Sequence, residues 1–81
     1  MKTLERIIEQ YPDEEFLIAD GFDEAIVGVN ALTLQIIYNI DKIIDILISE
    51  GMTEEEAIEY FEFNVLGAYV GEQTPIFIRY V

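Results

Sequence analysis

Eighty-one residues are enough for one domain, read as a single unit over 1–81, and so short a chain folds on a thin stability margin. With neither cysteine nor histidine there is no disulfide framework and no thiolate or imidazole metal site, so packing of the 52% hydrophobic residues must supply the stability. Four basic residues face seventeen acidic ones, and the net charge of -13 excludes phosphate-backbone binding to nucleic acid and attraction to anionic lipid.

The same charge favours basic protein surfaces, with an attraction that weakens in salt. Keeping a rather apolar small protein soluble is the competing explanation. No apolar run approaches the ~18 residues of a membrane span. The opening MKTLERIIEQ is amphipathic and punctuated by charge, unlike a signal peptide, so a cytoplasmic location is expected, bacterial or that of an infected cell.

Leu4, Ile7, Ile8 and Tyr11 recur at helical spacing, and Pro12 ends that helix because its ring disfavours a helical residue before it. Pro12 can also open a second short helix, with Asp13, Glu14 and Glu15 in a first turn that welcomes negative charge. Phe16, Leu17 and Ala19 follow, with Gly21 as the stop; a short strand over FLIA is the alternative for this stretch, which leaves residues 13–20 open between helix and strand. EAIVGVN and LQIIYNI then read as two strands, joined through ALTL as a hairpin. Ile36, Tyr38 and Ile40 alternate with Gln35, Ile37 and Asn39, and Gly28 marks a bulge or a close helix approach.

DKIIDILISEGM is the next helix. Asp41 is its candidate cap, Ile43, Ile44, Leu47 and Ile48 its buried stripe, and Gly51 followed by Met52 its stop. Thr53 and Glu56 form an S/T-x-x-E capping box that opens the following helix, expected to run to about Gly67 or Val70 with Gly71 as terminator. TPIFIRYV is a last strand opened by Pro75, with Ile76, Ile78 and Tyr80 on one side and Phe77, Arg79 and Val81 on the other. The expected fold class is α+β: a small three-stranded antiparallel sheet, hairpin plus C-terminal strand, packed against helices in the order α(α)ββααβ. Ile26, Ile37, Phe77 and Val81 then fall on the sheet face away from Ile36 and Ile78, and an uncovered apolar face there would mark an interface, with a homodimer as one occupant.

The last helix carries the most pointed pattern. Glu55, Glu59 and Glu62 lie at i, i+4 and i+7, and no lysine or arginine lies in the helix to offset them. A solvated face and an acidic stripe offered to a basic partner are the two readings. Ala57, Ile58, Tyr60, Phe61, Phe63, Val65, Leu66 and Tyr69 spread around more of the helix than one core stripe requires. Ile58, Phe61, Val65 and Leu66 suffice to dock on a sheet. Tyr60 and Phe63 then turn toward the neighbouring helix or toward solvent, where an aromatic beside carboxylates would anchor a partner. Mid-helix Asn64 either holds the GEQTP loop or touches a ligand.

Catalytic equipment is sparse. There is no histidine base and no thiol nucleophile, and Ser49 has no base near it in sequence, so a non-enzyme is expected. DEEFLIADGFDEA misses the spacing of a calcium loop, and GAYVGE leads into a strand rather than opening a phosphate-binding helix. No cofactor is called for.

GFDEAIVGV followed by DKIIDILISEGMTEEEAIEYFEFNVLGAYVGEQTPIF resembles a family of short acidic phage and prophage proteins with no assigned activity, over about residues 21–78. The EEAIEYFEFNVLGAYVGE segment is the most specific part of the likeness. The resemblance implies a phage accessory protein acting on a host protein, with an anti-CRISPR-like or DNA-mimic-like inhibitor of host defence or nucleic-acid handling as its concrete form. The candidate partner-binding residues are Glu55, Glu59, Glu62, Tyr60 and Phe63, with Asp13, Glu14 and Glu15 as a second cluster. The alternative is a homo-oligomer that binds a small ligand without catalysis.

Overall fold

The computed structural model describes residues 2–68 and 71–81. Helix α1 spans Thr3–Gln10, strands β1 and β2 span Ile26–Val29 and Ile36–Asn39, and helices α2 and α3 span Ile40–Ser49 and Glu54–Tyr60. The last helix continues without a break as a π-helical segment, Phe61–Leu66, and strand β3 covers Ile76–Ile78. The fold is α+β, as expected. Ile7 of α1, Ile43 and Leu47 of α2, and Ala57 and Phe61 of the last helix close on Ile26, Ile36 and Tyr38 in one buried cluster.

The sheet order is β1-β2-β3. The hairpin is antiparallel and carries its irregularity between Ile26 and Gly28, where the sequence placed it. The third strand differs from expectation: β3 lies parallel to β2, pairing Ile37 with Ile76, Tyr38 with Phe77 and Asn39 with Ile78, so the sheet is mixed. Both helices and the π segment lie between β2 and β3, and such a long crossover can bring a strand back in the same direction. Parallel register sets Phe77 beside Tyr38, where the rings stack with centroids 5.6 Å apart and Phe61 meets Phe77 edge-on at 5.5 Å. Ile26 and Phe77 therefore face the core with Ile36, while Ile37, Ile76 and Ile78 share the other face, half-buried. Val81 lies beyond the strand and is exposed.

Residues 13–20 form neither helix nor strand. Tyr11 leaves the helical region at φ -132 ahead of Pro12. An ongoing helix would bond the Ala19 N–H to the carbonyl four residues back. Instead this N–H donates to the Tyr38 hydroxyl at 2.7 Å, which ties the connector to the sheet. Phe16 and Ala19 pack on the core, and Leu17 and Ile18 turn outward.

Asn30 rather than the ALTL residues organises the hairpin connection. Its Oδ1 accepts from the N–H groups of Leu32 and Thr33 at 2.8 and 3.1 Å, and Leu34 takes a positive φ of 62. Asn39, not Asp41, caps α2: it ends β2 in extended conformation and its Oδ1 accepts from the Lys42 N–H at 2.9 Å. Gly51 stops α2 at φ 109 while the Met52 N–H donates to the Leu47 carbonyl at 3.3 Å, a Schellman closure with Met52 packed on the core. The capping box is complete: Thr53 N–H donates to Glu56 Oε1 at 2.9 Å, and Glu56 N–H donates to Thr53 Oγ1 at 3.2 Å. Gly67 caps the π segment; a Cβ there would lie 3.3 Å from the Glu62 carbonyl oxygen, so the bare backbone lets that wide turn close. Tyr69 and Val70 lie outside the described residues.

Candidate functional site

The change from α to π geometry decides which side chains the last helix shows to solvent. A wider turn offsets residues four apart in the opposite sense to an α turn, so across the junction positions eight apart, such as Ala57 and Val65, fall nearly into line. Ala57, Phe61 and Val65 thus form the inward column, the first two buried and the third packed against the core. Ile58, Glu62 and Leu66 form the next column, and Ile58 is 41% and Leu66 51% exposed, so neither docks on the sheet as the sequence suggested. Phe63 is two residues from both Phe61 and Val65, which points it away from the core, and it is 75% exposed.

Helix α2 supplies the opposing wall. Ile40, Ile44 and Ile48 recur every four residues; the first two are half-buried, and Ile48, expected in the buried stripe, is 38% exposed. A turn at residues 50–53 folds α3 back against α2, and between them lies a groove of about 460 Å³. Ile40 and Ile44 line it from α2, Ile58, Phe61, Phe63 and Leu66 from the last helix, and Glu62 and Arg79 also border it.

Carboxylates rim both sides. Asp41 and Asp45 follow the apolar column around α2, Glu55 and Glu59 lie around the last helix from its column, and Glu62 sits in that column between Ile58 and Leu66, all exposed. Arg79 approaches Asp41 at 3.7 Å, and this is the sole ion pair among the described residues. A pair so exposed adds little stability. It leaves the glutamates of the last helix without a cation of their own.

The sequence candidates separate on this frame. Glu55, Glu59, Glu62 and Phe63 share the outward side of the last helix. Tyr60 belongs elsewhere: with Asn64 and Asp20 it borders a second cavity, about 370 Å³, walled by Leu17, Phe22 and Phe77. Asn64 is exposed, so water can satisfy its amide, and the GEQTP loop is held by other groups. The Thr74 hydroxyl donates to the Gly71 carbonyl at 2.6 Å, and Gln35 Nε2 donates to the Thr74 carbonyl at 2.7 Å. Asp13, Glu14 and Glu15 sit exposed in the connector after α1, whose main packing partner is β1, and they border neither cavity.

Burial raises the Tyr38 phenol above the ordinary tyrosine value; the Ala19 N–H pulls against this, and the negative Asp23 and Asp20 add to it. The shift belongs to a core tether, not to a reacting group. The Thr53 backbone N–H, and then its side chain, hold the Glu56 carboxyl below its usual value, again a capping effect. Among the described residues no group of three or more acidic side chains gathers closely enough to hold a metal ion, and no helix is long and apolar enough to cross a membrane.

No family model, curated protein or solved structure matches the chain. The roles of its residues rest on their chemistry and placement alone.

Proposed function

We propose that this chain is a non-catalytic interaction protein that docks the carboxylate-rich outer side of its last helix on a basic surface of another protein. The observation that carries this reading is Phe63, 75% exposed beside Glu59 and Glu62. A phenylalanine held in water contributes almost nothing to folding, whereas aromatic anchors inside a polar rim are what interfaces favour. The excess of seventeen acidic over four basic residues supports a cationic partner and argues against direct contact with nucleic acid. The likeness to short acidic phage proteins supports a phage origin and a host target in the cytoplasm. An inhibitor of a defence or nucleic-acid-handling protein is the concrete form, since such targets present basic surfaces.

The test is charge reversal. Glu55→Lys, Glu59→Lys and Glu62→Lys together replace exposed side chains, so the fold should survive, as circular dichroism would check. Capture from host lysate at about 50 and 300 mM salt should yield a partner that is weakened by salt and lost to the triple variant. The same partner held equally by the triple variant would reject this surface.

A second reading rests on the other cavity. Its roughly 370 Å³ falls within the usual range for small-ligand sites, and apolar walls with Asp20, Asn64 and Tyr60 at the border suit a small amphiphile carrying hydrogen-bond donors. A melting temperature that rises with one compound in a metabolite panel, and does so less in Asn64→Ala, would favour it.

A further inference from the structure

The acidic ridge is one side of a valley, and the shape of that valley narrows the partner. Its apolar columns run along two adjacent helices, Ile40, Ile44 and Ile48 on one and Ile58 and Leu66 on the other. The α2 column runs from Ile40 to Ile48, eight steps of 1.5 Å or about 12 Å, which is two turns of a third helix laid beside it. The groove of about 460 Å³ is a notch for a few side chains, not a tunnel for a chain. Both rims carry carboxylates: Asp41 and Asp45 on the α2 side, where Arg79 at the groove edge already meets Asp41 at 3.7 Å, and Glu55 and Glu59 on the other, with Glu62 inside the column between Ile58 and Leu66.

We infer that this valley receives one face of a cationic amphipathic helix from the partner protein. The helix would seat apolar side chains at i, i+4 and i+7 over Ile44, Ile58 and Leu66, with Phe63 closing over them, while lysines or arginines on its flanks meet the two acidic rims. Two packed helices with exposed apolar columns lack only a third helix to bury them. The glutamates of the last helix, none of them in an ion pair among the described residues, select a basic one, and the net charge of -13 disfavours a second copy of this acidic chain. The inference rests on the interaction reading above and adds to it the secondary structure and the apolar face of the partner.

The test uses two synthetic peptides of about 18 residues, built of leucine and lysine in the same numbers. In one the leucines follow a helical stripe; in the other they are scrambled. Binding is measured by calorimetry at about 100 mM salt, and peptide helicity by circular dichroism. The striped peptide should bind at least about tenfold more tightly than the scrambled one and gain helicity on binding. Phe63→Ala should remove about tenfold or more of its affinity while the melting temperature stays close to the parent's, because that side chain is 75% exposed.

Equal affinity for the two peptides, lowered equally by the glutamate-to-lysine triple variant, would overturn the helix inference while leaving an acidic docking surface in place. Failure to bind either peptide would overturn it as well, and the surface would then be judged by the captured partner alone. Sedimentation showing a dimer that Phe63→Ala dissolves would also overturn it, because a second copy would fill the valley.

Discussion

Tyr38→Phe tests how the helix-free connector over 13–20 is held. The ring is wholly buried and stacks on Phe77, so phenylalanine fits the same space and only one oxygen is lost. That oxygen accepts the Ala19 N–H at 2.7 Å. A neutral hydrogen bond is worth about 0.5–1.5 kcal/mol net, and a donor stranded away from water costs about 1–3 kcal/mol. Ala19 is half-buried, so its amide recovers some hydration, and the expected loss is about 1–2 kcal/mol. In a domain of this size each kcal/mol lowers the melting temperature by about 4–8 °C, giving a fall of about 4–16 °C. Urea denaturation should show a lower midpoint at unchanged slope, and amide exchange at Ala19 should accelerate. A variant within about 0.3 kcal/mol of the parent, with Ala19 equally protected, would refute the tether. The connector would then be held by Phe16, Ala19 and Phe22 packing alone.

The same phenol predicts an alkaline limit. Its folded pKa lies above the ordinary 10.0, so the unfolded chain loses this proton first; the stabilisation is complete below pH 10.0 and declines as pH rises past it. Urea midpoints between pH 8 and 11 should fall less steeply in Tyr38→Phe. Thr53→Ala should cost about 0.5–2 kcal/mol by removing the cap, and in the same variant the Glu56 pKa read by NMR should move up toward its usual value. Phe61→Ala should cost about 3–5 kcal/mol, enough to threaten folding, whereas Phe63→Ala should stay within about 0.5 kcal/mol of the parent by chemical denaturation.

What the sequence revealed was mostly what neighbouring residues decide among themselves. The capping box closes between Thr53 and Glu56, the α2 stop needs Gly51 and Met52, and the hairpin irregularity sits beside Gly28. The misplaced features depend on distant partners. Asp41 and Asn39 are equally good caps by type, and the choice fell to Asn39 because β2 runs straight into α2 and leaves that residue extended at the boundary. The connector after Pro12 has helix-compatible residues, but Tyr38, nineteen positions from Ala19, takes the amide a helix would use. The direction of β3 follows from how the helices pack; the inward turn of Phe77 follows from its pairing with Tyr38, and that of Ile26 from the hairpin register across the irregularity before Gly28.

The candidate site was half legible for the same reason. Its acidic residues can be counted in a helical repeat, but the repeat changes at Phe61. A uniform 3.6-residue period would place Leu66 well around the helix from Ile58; the wider π turn brings the two into one column facing α2. That shift also completes the inward column with Val65, so core packing itself holds the π geometry through Phe61 and Val65. Exposing Ile58, Phe63 and Leu66 is therefore a by-product of a well-packed interior, yet their apolar character is not. Serine or lysine at Phe63, 75% exposed, would remove an apolar side chain from the surface at little cost to folding. Folding places little demand on a phenylalanine at that position, and this is the observation on which the docking proposal rests.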